Sequence, residues 1–382
     1  MRDLFLLDPD VVFLNHGSYG ACPREVLAAQ HAWQHEMERN PVDFLGRESA
    51  QRLARARNVL GEAIGARGDD LVFVPNATTG VNIVARSLAL QPGDEVLTTD
   101  LEYGACDATW RRVCTEAGAS YRRVAIPLPY RADEVVARLL AAVTPATRLV
   151  YVSHITSTTA LTLPVAGVCA AARRLGLPTL VDGAHAPGQI DLALDTIGAD
   201  FYVGNCHKWM CAPKGAAFLH ARPERQAALH ATVTSWGYAE NVAGVPAYDA
   251  YLGHTEFERR LQWQGTRDLS AWLAVPAAIE FQQRHDWPAV RRRCHEWARE
   301  ALHALTQRHG LAPIAGDGDW AQMVAIPVPP QDPDALRRRL FAESRIEIPV
   351  TTHGDAVFVR LSLQGYNTRE DVARLVDAPA LR

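Results

Sequence analysis

Between residues 71 and 220, seven short apolar runs are separated by segments of helical spacing, and this alternation constrains the fold more than any other feature. LVFVP (71–75), DEVLTTD (94–100), YRRVAIP (121–127), RLVYVSHI (148–155), LPTLVDGA (177–184), DFYVGN (200–205) and GAAFLH (215–220) read as strands. VNIVARSLAL, RADEVVARLLAAV and LPVAGVCAAARRLG, which lie between them, have helical periodicity. Such alternation predicts an α/β fold with a mostly parallel central sheet. From about residue 270 the texture changes to long Arg-rich helices followed by the strands MVAIPV and AVFVRLSL. That change predicts a smaller α+β C-terminal domain (271–382) after a large α/β domain (21–270).

Composition narrows the class. The 382 residues are 48% apolar and 21% charged, as expected of a globular protein of enzyme size. A net charge of −4 provides no basic footprint for nucleic acid. No run of about 18 apolar residues suggests a membrane span, and Asp3, Asp8 and Asp10 around the first apolar run do not suit a signal peptide. Cysteines 22, 106, 114, 169, 206, 211 and 294 are odd in number and form no CxxC pair. Reduced thiols in a cytoplasm are the expectation.

Of the 39 Lys and Arg residues only two are lysine, Lys208 and Lys214, and both fall in GNCHKWMCAPKG (204–215). Arginine replaces lysine for surface charge almost anywhere. It fails where an amine must lose its proton and form a Schiff base, because guanidinium stays protonated. Lys208 is therefore a candidate catalytic lysine, and Lys214 is expected to be structural or peripheral.

Other chemically useful residues sit where predicted strands end, the edge at which open parallel sheets bind ligands. Asn76, Thr78 and Thr79 open a helix after LVFVP, a turn suited to phosphate. Tyr103 follows the second strand, His154 the fourth, Asp182 and His185 the fifth, and His207 the sixth. Pyridoxal phosphate would use all of these together. It needs a lysine, a carboxylate to keep its ring nitrogen protonated, a phosphate cup, a flat side chain on its ring and donors near its phenolic oxygen. A different reading makes His154, His185, His207 and Asp182 ligands of a metal-dependent hydrolase. It leaves the lysine pattern, NATTG and Arg360 without roles.

FLNHGSYGACPREVL, NPVDFLGRE, NATTGVN, SHITSTTALTLPV, VDGAHAPGQ, GNCHKWMCAPKG, WQGTRD and RLSLQGYNT, in that order over nearly the whole chain, resemble the class V aminotransferase family of fold-type I pyridoxal phosphate enzymes. Within it they are most similar to the isopenicillin N epimerase-like group. Either His185 or His154 would supply the donor near the phenolic oxygen; the resemblance implies that Lys208 binds the cofactor and carries the α-proton, Asp182 pairs with the ring nitrogen, and His185 lies near the phenolic oxygen. It places Tyr103 against the ring and Thr78, Thr79 and His207 on the phosphate. It implies that Gly265 and Thr266 reach the phosphate of a neighbouring subunit, hence a homodimer with shared sites. Arg360 would grip the substrate α-carboxylate. Residues 1–20 would lie near the site, with Asn15, His16, Gly17 and Ser18 at the substrate entrance.

The reaction is less constrained. The loop before Arg360, ESRIEIPVTTHGDAVFVR (343–360), contains no cysteine, which argues against persulfide transfer by the usual desulfurase route, and His353 occupies that shortened loop. Epimerisation at an amino-acid or peptide α-carbon is the leading reading, with Tyr103, His154 and His16 as candidates for the second acid. A C–S lyase, an aminotransferase and a decarboxylating deaminase are the alternatives.

Overall fold

The computed structural model describes residues 1–382. All seven apolar runs are strands of one sheet: β1 (Leu71–Val74), β2 (Glu95–Thr99), β3 (Ser120–Val124), β4 (Thr147–Ser153), β5 (Thr179–Gly183), β6 (Phe201–Asn205) and β7 (Ala217–Ala221). Their spatial order is β1-β7-β6-β5-β4-β2-β3. Six run parallel, while β7 is antiparallel to both its neighbours, β1 and β6. The continuous apolar runs of the inner strands have a simple cause, since both faces of the sheet are covered there, whereas the edge strand β3 leaves Ser120, Arg122 and Arg123 exposed. Val72, Val74, Val96, Leu149, Tyr151, Leu180 and Val203 face one apolar cluster, and Phe73, Leu97, Val150, Val152 and Val181 face another.

Helices α1 (Arg24–Arg39), α2 (Ser49–Ile64), α3 (Ala77–Ser87), α4 (Gly104–Ala117), α5 (Ala132–Ala142) and α6 (Val165–Arg174) accompany the sheet. Helices α7 (Val275–Arg284) and α8 (Trp287–His309) lead into the C-terminal portion, which also holds α9 (Pro333–Ser344) and α10 (Arg369–Val376). There β8 (Met323–Val328), β9 (Val350–His353) and β10 (Ala356–Ser362) form an antiparallel sheet in the order β9-β10-β8. Pro327 is tolerated within β8 because β8 is an edge strand. Strand β9 lies where the sequence suggested only a loop, and its His353 approaches Asp100 at 3.7 Å.

The N-terminal segment crosses to the far end of the chain. Val12–Phe13 pairs in parallel with Ile346–Glu347, and Phe5, Val12 and Leu14 join the same apolar cluster as Val324 and Val359. Gly20 closes this segment at φ +73, and a Cβ there would lie 2.1 Å from the His207 carbonyl oxygen. Only glycine permits both that backbone conformation and that approach. Lys214 donates to the Gly20 carbonyl at 2.8 Å, a structural role for the second lysine.

Candidate active site

Strands β1, β4, β5 and β6 are parallel, so their carboxyl ends share one edge, and a cavity of about 380 Å³ opens there. Its wall includes Ser18, Thr78, Tyr103, Asp182, His185, His207 and Lys208. Residues scattered over 190 positions of sequence are thus brought together by topology.

The Lys208 side chain is half-buried in this wall, its Nζ 3.1 Å from His185 Nε2. Burial, and then the charge of Arg360, pull its pKa down to about 7. A substantial fraction is the free amine near neutral pH, which arginine at the same place would not provide. Asp182 is 3% exposed and forms no salt bridge. Its carboxylate accepts from the Ala184 N–H at 2.9 Å, the Tyr151 hydroxyl at 3.2 Å and, weakly, the Cys106 thiol at 3.5 Å. Burial raises its pKa, because neutral donors do not replace a counter-ion. A cationic ligand group, such as a protonated ring nitrogen, would supply that counter-ion.

Arg360 is a second uncompensated charge. It is 5% exposed, donates to the Ser157 carbonyl and hydroxyl and to Ser18 Oγ, and has no carboxylate partner. Its Nε is buried without an acceptor, and burial lowers its pKa to about 10. An anionic ligand group would satisfy it.

At the other end of the cavity Asn76 caps α3, its Oδ1 accepting from the N–H and hydroxyl of Thr79. The Ala77 N–H is taken by Asn205 Oδ1 at 2.8 Å. Thr78 is therefore the free member of this turn, whereas Thr79 is committed to the cap and does not line the cavity. His207 donates from Nδ1 to the Ala216 carbonyl at 3.0 Å, which leaves Nε2 without a protein partner. Tyr103 is 45% exposed and Tyr19 75% exposed, both at the cavity mouth.

Several expected residues are placed elsewhere. His154 lies on the opposite face of the sheet from Tyr151 and Ser153, with Nδ1 bonded to the Tyr202 hydroxyl at 2.8 Å, and does not line the cavity. His16 is fully buried between the Tyr366 hydroxyl and the Lys208 carbonyl, each at 3.0 Å. Gly17 is packed where a Cβ would meet the Met323 sulfur at 2.8 Å. Asn15 holds Ser18 Oγ at 2.5 Å, so of the four entrance residues only Ser18 reaches the cavity. Gly265 and Thr266 do not line this chain's cavity. No three His, Cys, Asp or Glu side chains converge as metal ligands, since His154 and His207 turn to Tyr202 and Ala216. No cysteine lines the cavity, and all seven are buried.

The sequence reading missed Tyr151, Ser153, Ser157, Asn205 and Trp209. Strand alternation identifies two of these, since residues 151 and 153 share the face of the cavity while 154 points away. Trp209 follows Lys208, is fully buried, and donates its indole N–H to His185 Nδ1 at 3.2 Å.

Comparison with known proteins identifies the family. The family model Aminotransferase class-V matches residues 12–375. Isopenicillin N epimerase of Streptomyces clavuligerus is 40% identical over 382 residues, covering 99% of this chain and 96% of the relative. A chloroplastic protein of Arabidopsis thaliana named as a probable L-cysteine desulfhydrase is 32% identical, covering 97% of this chain and 82% of the relative. Among solved structures, a C-DES mutant with glycine covalently linked to its PLP cofactor superposes with a TM-score of 0.84. It is 25% identical, with 100% of this chain and 99% of that chain covered. The uncompensated Asp182 and Arg360, the half-buried amine of Lys208 and the open turn at Thr78 fit pyridoxal 5'-phosphate, whose fold-type I architecture the chain has. On this combined ground the chain belongs to the class V aminotransferase family and is a pyridoxal phosphate-dependent enzyme.

Proposed function

We propose that this enzyme epimerises the α-carbon of an amino acid or amino-acid-containing peptide, in the manner of its isopenicillin N epimerase relatives. Pyridoxal phosphate supplies the electron sink that makes an α-proton removable. Asp182 would hold the ring nitrogen protonated, His185 would donate to the phenolic oxygen, Thr78 and His207 would hold the phosphate, and the Tyr103 ring would face the cofactor. Arg360, steadied by Ser157 and Ser18, orients the substrate through its carboxylate. Gly265 and Thr266 complete the phosphate site of a partner subunit, so the working unit is a cytoplasmic homodimer.

Epimerisation needs one group to take the α-proton and another to return a proton on the opposite face. Lys208 Nζ takes it. Of the three candidates for the second group, His16 and His154 are buried away from the cavity, with pKa values pulled down to about 3 and about 4 mainly by desolvation. Tyr103 is the remaining one, and its place on the cavity wall is the observation that carries the proposal.

C–S lysis is the second reading. A structural neighbour is titled a cystine C–S lyase, and several relatives are named cysteine desulfhydrases. This reaction needs Lys208 and a β-leaving group, with no second acid. Incubation of the cofactor-loaded enzyme with L-amino acids and cysteine conjugates separates the two. D-isomer resolved by chiral chromatography supports epimerisation; pyruvate with released thiol replaces it by lysis.

A further inference from the structure

We propose that Trp209 is a positioning residue which locks His185 in the Nε2–H tautomer, so that the cavity side of this imidazole is always a hydrogen-bond donor. The inference holds for epimerase and lyase alike, because it concerns only how Lys208 and His185 are prepared for the cofactor.

An indole N–H is a donor and nothing else, so His185 Nδ1, 3.2 Å away, must accept. A neutral imidazole with an accepting Nδ1 carries its hydrogen on Nε2. His185 is 3% exposed, and burial, helped by the charge of Arg360, keeps it neutral. Trp209 is fixed in turn. It is fully buried, its carbonyl accepts from Gln282 at 2.7 Å, and its ring lies 5.1 Å from that of His16.

The consequence falls on Lys208, whose Nζ is 3.1 Å from Nε2. With hydrogen on Nε2, that bond exists only if Nζ accepts, which requires the free amine. An ammonium would need a lone pair on Nε2, hence hydrogen on Nδ1 facing another N–H. Trp209 thus disfavours protonated Lys208 through His185 and holds the form that condenses with the cofactor aldehyde. With the cofactor bound, the same N–H would be available as a donor to its phenolic oxygen, and His185 would not serve there as a base. The other titratable or charged groups around Lys208 are Arg360, Asp182, Cys106, His16, His207 and Tyr103.

The test has two readouts besides turnover. Long-range proton–nitrogen NMR of the full chain labelled at histidine nitrogen, with His185→Gln to identify the signal, reads the tautomer in stripped and cofactor-loaded protein. Nδ1 is expected to be pyridine-like and Nε2 pyrrole-like in both. A hydrogen on Nδ1 of the wild type overturns the proposal without any variant at Trp209. The second readout is the pH dependence of cofactor capture, followed by growth of visible absorbance. Trp209→Phe keeps most of the volume and removes the donor. Its midpoint for capture is expected to rise by about half to one pH unit, slowing capture near pH 7 by about two- to fivefold. An unchanged midpoint in a variant that still melts cooperatively would refute the role of the indole N–H.

Discussion

Arg360→Met separates a binding residue from a structural one. The wild-type guanidinium is nearly fully buried with no anion beside it, and its pKa falls from 12.5 to about 10. At 1.36 kcal/mol per unit, the native state holds this charge at a cost of about 3 kcal/mol. Because about 10 still lies above neutral, Arg360 remains charged and the full cost is present at pH 7. Against it stand charge-assisted bonds to the Ser157 carbonyl and hydroxyl and to Ser18. At about 1.5 kcal/mol each these offset the cost. Methionine removes both sides of the balance, so unfolding free energy by denaturant titration is expected to stay within about 2 kcal/mol of wild type. Substrate binding has no such compensation. Losing a buried charged partner costs about 2–5 kcal/mol, so KM should rise by roughly 30-fold to several thousandfold, with a smaller change in kcat. Arg360→Lys retains charge without the planar fork and should fall between. If Arg360→Met loses more than about 4 kcal/mol of stability while KM stays within about threefold, the guanidinium is a structural strut and the argument fails.

Three further perturbations follow, two at buried carboxyls and one at the cavity mouth. Glu102 is 6% exposed, accepts from Thr99 and Ser153 at 2.6 Å each, and has its pKa raised from 4.5 to about 8, chiefly by burial. A raised carboxyl favours the folded state most at low pH, and that benefit is lost as pH climbs from about 4.5 to about 8. Glu102→Gln should therefore gain on wild type by up to about 4 kcal/mol between pH 5 and pH 8 in paired denaturant titrations; a pH-independent difference contradicts this. Asp182→Asn relieves an unpaired buried carboxylate, so cofactor-stripped protein should melt higher while turnover falls on the order of 10²-fold. Retained activity would remove Asp182 from the site. Tyr103→Phe should abolish D-isomer formation yet leave solvent exchange of the α-proton of the L-substrate, measured by mass spectrometry. Equal loss of both would assign Tyr103 to binding rather than to the second proton transfer.

The large sheet was legible because a strand covered on both faces must be apolar along its length, and such runs recur between residues 71 and 220 with helical segments between them; the exposed edge strand β3 is the exception. The constellation was legible for a related reason: parallel strands place their carboxyl ends on one edge, so Lys208, Asp182, His185, His207 and Tyr103 converge without any knowledge of side-chain direction. Direction is where the reading stopped. His154 and Ser153 are neighbours at one strand end, yet alternation sends Ser153 to the cavity and His154 to Tyr202. His16 belongs to a segment whose contacts, Tyr366 and Lys208, lie 350 and 192 positions away. Thr79 resembles Thr78 in sequence, and only the cap geometry of Asn76 tells them apart. The antiparallel course of β7 is likewise set by its partners and not by the residues of GAAFLH.

The most direct test of α-carbon proton chemistry at Lys208 uses cofactor-loaded enzyme in deuterated water with L-amino acids, observed at the α-proton by NMR. Loss of that signal, accompanied by D-isomer and abolished in Lys208→Ala, is the expected result. Substrate that keeps its α-proton, or exchange that survives Lys208→Ala, would contradict the account.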